Sequence, residues 1–154
     1  MQQTDDTHLT HAFARGELSP SLARRLAADF LHGLARRGRP VTPTAVETAR
    51  LVTSELVTNA LKHAPGPVLL ELRLEGGLVA ITVWDSGPAL PVVGKSDPAR
   101  VGRHGLEIVA SLARRFEVRR RSVGKRVTAR IALDDEAATT DARAHDGRVT
   151  GVHR

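Results

Sequence analysis

The chain has no cysteine and no tyrosine, and only one tryptophan and three phenylalanines among its 154 residues. Without thiols there is no disulfide, thiolate-bound zinc, iron–sulfur cluster or cysteine nucleophile. With aromatics at 3%, a base-stacking platform for single-stranded nucleic acid is a poor fit. No apolar run approaches the ~20 residues needed to span a bilayer. The opening MQQTDDTHLT lacks the basic region and apolar stretch of a secretory signal. These absences lead to the expectation of a cytoplasmic protein with no membrane partner. Hydrophobic residues at 41% and charged residues at 26% suit a packed core, and the length suits one domain. The formal net charge is +6, supplied mostly by arginine. It points to an anionic partner such as a nucleotide, a nucleic acid or an acidic protein surface, or it merely follows an arginine-rich composition.

Two helices open the chain. Residues 8–14 read as a short first strand. Ser19-Pro20 is a cap followed by proline at the first helical position. Leu22, Leu26, Phe30 and Leu34 then recur at helical spacing, so a helix is expected over 20–37, ended by Gly38. Thr42-Pro43 starts a second helix by the same logic, stopped near His63 by Ala64-Pro65-Gly66-Pro67.

After residue 67 the period changes. Val68, Leu70, Leu72 and Leu74 alternate with Leu69, Glu71, Arg73 and Glu75, which is a strand with one buried face. Gly76-Gly77 marks a hairpin. Its partner, 78–85, carries Val79, Ile81, Val83 and Asp85 on one face. A long Gly- and Pro-containing loop follows over 86–100. A third helix is expected at 103–115, and a second hairpin pairs 116–122 with 125–133 around Val123-Gly124. In the last strand Val127, Ala129, Ile131 and Leu133 face inward. Beyond 133 periodicity vanishes and acids outnumber arginines, so the expectation is a domain over residues 1–133 and a disordered tail over 134–154. The element order gives an α+β two-layer sandwich, with helices on one face of a mixed, mostly antiparallel sheet. Arg119, Arg121, Arg126 and Arg130 suit the outward side.

Three groups of residues carry chemistry. Glu55, Asn59 and Lys62 lie at i, i+4 and i+7 on the second helix, within an arc of roughly 60°. A carboxylate, an amide and an ammonium thus border its buried stripe. Such a set can hold a hydrated divalent cation on a phosphate chain and orient an attacking group, or it is a solvated helix edge. Asp85-Ser86-Gly87 ends an apolar strand face, where a carboxylate needs a donor such as a purine amine; an ordinary turn is the alternative. Gly102-Arg103-His104-Gly105-Leu106 opens the third helix, whose exposed N–H groups and dipole attract phosphate, with Arg100 and Arg103 adding charge. A flexible lead-in is the alternative there.

In this order the segments SELVTNALKHA (54–64), WDSG (84–87) and GRHGLEIV (102–109) resemble the nucleotide-binding boxes of the GHKL superfamily. Its members include gyrase, a heat-shock chaperone, histidine kinases and mismatch-repair proteins. The resemblance covers residues 8–133 and is greatest to the anti-sigma-factor serine/threonine kinase branch. It implies a Bergerat-type fold binding ATP and Mg2+. Asn59 then matches the metal-ligating asparagine and Glu55 the catalytic general base. Asp85 matches the reader of the adenine amine, with Gly87 its companion. Gly102 and Gly105 match the phosphate-side glycines, and 88–101 the lid over ATP. Lys62, Arg100, Arg103, His104 and Leu106 belong to the same nucleotide-binding set. The implied partners are a sigma factor and a serine-bearing anti-anti-sigma protein, and relatives of this type often form homodimers.

Two departures stand out. Arg103 replaces a further glycine. Gly124 is followed by Lys125 and Arg126, where a threonine supporting adenine is usual, and Thr128 falls on the outward face. Beside the kinase, two other functions stay open. One is a module that binds ATP without turnover and acts by sequestration. The other is a nucleic-acid binder using Arg114, Arg115, Arg119, Arg120, Arg121 and Arg126.

Overall fold

Local chemistry sets the helix ends. In the computed structural model, which describes residues 2–4, 7–14, 17, 19–63, 66–86, 103–122 and 124–135, helix α1 runs from Pro20 to Arg36. The Ser19 hydroxyl accepts the Leu22 N–H at 3.1 Å, satisfying one of the donors that a first turn leaves open. Gly38, at φ 87°, ends the helix. Its N–H reaches the Ala35 carbonyl and the Arg39 N–H reaches that of Leu34, the paired bonds of a left-handed C-terminal cap. Helix α2 spans Pro43–His63. The Thr42 hydroxyl accepts the Ala45 N–H, while the Thr42 N–H donates to the Leu133 carbonyl. The same residue therefore caps α2 and ties it to the chain just beyond the last strand.

The remaining elements are β1 (Gln2–Thr4), β2 (His8–Phe13), β3 (Val68–Glu75), β4 (Leu78–Asp85), α3 (Arg103–Leu112), β5 (Arg115–Arg120) and β6 (Lys125–Ala132). The strands form one six-stranded sheet in the order β1-β2-β3-β4-β6-β5. Every pairing among the described residues is antiparallel, so the expected mixed character finds no parallel pair there. The α+β class is as expected. Two details differ. Strand β1 was not anticipated, because three polar residues carry no alternation. Helix α3 ends at Leu112 and β5 begins at Arg115, since Arg114 donates its N–H to the Arg130 carbonyl at 2.7 Å and so joins the sheet edge.

The core lies between the helices and one sheet face. Leu31 and Leu34 from α1, Val52 and Leu56 from α2, and Val109 from α3 meet Leu70, Leu72, Val79, Ile81, Val127, Ala129 and Ile131, all buried. The opposite sheet face is closed over by its own side chains. Thr82 and Thr128, in register, share a buried hydrogen bond of 3.0 Å. Arg130 bridges Glu75 at 2.8 Å and Glu117 at 3.4 Å. The Arg121 and Arg126 guanidinium groups stand 4.6 and 5.1 Å from the Trp84 ring centre.

One glycine fixes where β6 starts. Gly124 has φ 81°, and a Cβ there would collide with the backbone carbonyl of Asp85 and crowd the Ser86 Cα. A positive φ already costs a non-glycine residue about 1–2 kcal/mol, and backbone atoms cannot swing aside. Gly124→Ala is expected to lower stability by about 3 kcal/mol, read as a fall of roughly 6–12 °C in thermal midpoint for a chain of this size.

Candidate functional site

The second helix brings its polar stripe to two different environments. Asn59 is 93% buried, whereas Glu55 is half-buried and Lys62 is exposed. The stripe thus crosses the border of the core, as its spacing predicts, and its far end emerges into solvent. Glu55 turns toward α3. Gly105, buried in the first turn of that helix, has its missing Cβ replaced by the Glu55 carboxylate: a side chain there would run into Oε2 and crowd Cδ at 3.2 Å. A glycine at 105 therefore makes room for this carboxylate. The helix N-terminus, with its partial positive charge, favours an anion at that place. Glu55 and the opening turn of α3 therefore stand together in space, with Asn59 one turn further along α2.

The Leu106 side chain is buried and acts as a core anchor for that first turn. Arg103 and His104 contribute backbone to the turn. Gly87, Arg100, Gly102 and the expected lid at 88–101 lie outside the described residues, as does the tail from 136 onward.

At the other end of the site stands Asp85. The alternation of β4 turns it to the core side, next to Val83. Directly across the β4–β6 ladder is Lys125, which the alternation of β6 turns to the same side. The Lys125 Nζ lies 3.0 Å from Asp85 Oδ2, and each side chain is only 1% exposed. This is contact between full charges at hydrogen-bond distance, yet not an aligned hydrogen bond. Nζ finds no correctly oriented acceptor among the described residues. Lys125 is the site residue that sequence reasoning noticed only as a missing threonine. A signal for it was present: 125 continues the inward series 127, 129, 131. Thr128, dismissed as outward-facing, is on the far side of the sheet but is buried there by its bond to Thr82.

The two ends differ in how they fit a nucleotide with its metal. At the α2–α3 end the residues fit. No cluster of three or more His, Asp or Glu stands ready to hold a metal among the described residues, so a cation would rest on the Asn59 amide oxygen and on phosphate oxygens, an arrangement natural to Mg2+. At the β4 end the fit fails. The carboxylate expected to accept a base amine already faces an internal ammonium.

Comparison with protein families matched residues 17–131 to the model described as "Histidine kinase-like ATPase domain". Among solved structures, the chain is similar to the histidine kinase domain of the blue-light-activated histidine kinase from Erythrobacter litoralis. Identity is 23%, covering 95% of this chain and 70% of that one, with a TM-score of 0.44. A comparison with curated proteins found no match. No described helix is long and apolar enough to cross a membrane.

A buried ion pair makes a specific demand on stability. Removing one partner strands the other charge in the interior, whereas replacing both leaves little penalty. Asp85→Ala is expected to cost about 3–5 kcal/mol in urea unfolding. The double change Asp85→Asn with Lys125→Met is expected to recover most of that loss.

Proposed function

The chain belongs to the histidine kinase-like ATPase domain family, and from that premise we propose that it is an ATP-dependent serine/threonine protein kinase with an anti-sigma role. Its substrate would be a serine on a small anti-anti-sigma partner, and sequestration of a sigma factor its second action. ATP binding follows from the family; the kinase and anti-sigma roles go beyond it. The observation that carries it is Glu55 held against the opening turn of α3 by the absent side chain of Gly105, beside the buried Asn59.

That pairing suits phosphoryl transfer, in which positioning and charge neutralisation do most of the work. A bound Mg2+ would neutralise the phosphates. Asn59 supplies a neutral oxygen ligand on a rigid helix. Glu55 accepts the proton of a serine hydroxyl as its oxygen bonds to the γ-phosphorus, and the bond to the β-phosphate oxygen breaks to release ADP. The N–H groups of the α3 turn face the anionic side of this exchange.

A second reading is a module that binds ATP without transferring phosphate, with which the Asp85–Lys125 pair is equally compatible. Incubating the chain with Mg·ATP and candidate anti-anti-sigma proteins separates the two. The kinase reading expects phosphoserine on a partner, reduced by about 10²–10⁴-fold in Glu55→Gln with ATP binding retained. ATP binding without transfer to any such partner would favour the module. Gly105→Ala supplies an independent check. Its backbone is helical and the obstacle is a flexible carboxylate, so the thermal midpoint is expected to hold within a few degrees. Transfer should fall with the displacement of Glu55.

A further inference from the structure

We propose that Lys125 occupies the base end of the nucleotide site from within, so that the site selects its ligand by the polyphosphate and hardly by the base. The proposal rests on the nucleotide-binding reading above, and it concerns which part of the ligand that site can recognise.

Four observations lead there. The cross-strand register places Lys125 directly opposite Asp85, on the core side of the sheet. Both side chains are 1% exposed and their charges stand 3.0 Å apart. The start of β6 lies close against the end of β4, because Gly124 packs on the Asp85 carbonyl in a conformation only glycine adopts readily. The ammonium has no aligned hydrogen-bond acceptor among the described residues, so the Asp85 carboxylate at 3.0 Å is the counter-charge that makes its burial tolerable.

A base amine competing for Asp85 brings a neutral N–H against a full positive charge, and charge-assisted contacts are the stronger kind. Displacing Lys125 would also leave its ammonium buried and uncompensated, which is costly. A shorter neutral residue at 125 would have neither effect. The α2–α3 end contains no part of this pair, so polyphosphate recognition there stands apart from it. The inferred ligand class is therefore a metal-bound triphosphate of any base, with Lys125 as the residue that removes base selectivity.

The test is calorimetric titration of the full chain with Mg complexes of ATP, GTP and inorganic triphosphate, repeated on Lys125→Thr and Lys125→Met. The three ligands are expected to bind the natural chain within about threefold of one another. In Lys125→Thr, ATP should tighten by about tenfold or more with the other two unchanged. Lys125→Met keeps the bulk and drops the charge, and should shift the same way to a smaller extent. The natural chain also offers a readout that needs no variant. Amine-labelling reagents should leave the buried Lys125 unmodified, with or without Mg·ATP.

A natural chain that prefers ATP or GTP by tenfold or more over inorganic triphosphate would overturn the proposal, as would loss of ATP binding in the Lys125 variants or labelling of Lys125 when ATP is added. Failure of all three ligands to bind any of the proteins would instead overturn the nucleotide reading itself.

Discussion

A carboxylate on the core side of a sheet must be neutralised without water, and much of this molecule's arrangement follows from how that is done. Asp85 ends an otherwise apolar series on β4, and its partner comes from the opening residue of β6 rather than from solvent. An interior charge pair adds little net stability, because desolvation offsets most of the attraction. Its effect is on register. A slip of one residue between β4 and β6 would turn one of the two charges to the opposite sheet face and leave the other buried alone. Gly124 enforces the same register from the backbone, since no other residue fits its approach to the Asp85 carbonyl. Side-chain electrostatics and main-chain sterics therefore specify one pairing twice over.

This constraint divides the candidate site into two ends of unlike character. The α2–α3 end joins a carboxylate, a buried amide and a helix N-terminus, groups of the kinds that bind cations and anions. The β4–β6 end has its charges paired internally. In a protein with these two ends, the binding free energy available from a nucleotide comes mainly from its charged part. That is compatible with phosphoryl transfer, whose transition state draws on positioning and charge at the phosphorus. It is equally compatible with a protein that senses nucleotide and acts by holding a partner. The distinction rests on what Glu55 does, and its placement against Gly105 owes nothing to the base end.

Much of this was legible in the sequence, for definable reasons. The alternation in 68–75 and 78–85 gave both strands to the residue, because one face meets the core and a period of two survives only under that asymmetry. The caps at Ser19 and Thr42 placed both long helices. The grouping of Glu55 with the α3 opening followed from the resemblance and is present in space. Strand order was not legible: β6 lies between β4 and β5, and no local pattern specifies which strand pairs with which. For that reason the inward positions of Asp85 and Lys125 were each readable, yet their meeting was not. Polar β1 and the tight connection from α3 to β5 were missed because both depend on hydrogen bonds to a neighbouring strand and not on burial.

The excess of arginine also has an internal explanation that composition could not reveal. Arg130 lies between Glu75 and Glu117, and Arg119 stands 3.7 Å from Glu117. Arg126 is spread over the Trp84 ring together with Arg121, and its burial there, next to Arg121 and Arg119, pulls its pKa below the usual arginine value. These side chains roof the sheet face that no helix covers, using their long stems as apolar surface, with the Arg130 head donating to Glu75 and Glu117 and the Arg121 and Arg126 heads over the Trp84 ring. A nucleic-acid footprint needs cations whose charge is neutralised by phosphate alone, since that is the source of its salt dependence. The guanidinium groups of Arg119, Arg126 and Arg130 are already committed to the sheet. Part of the chain's positive balance therefore serves as the second wall of a two-sided sheet, while other arginines, among them Arg25, Arg36, Arg39, Arg50 and Arg114, are exposed on the surface.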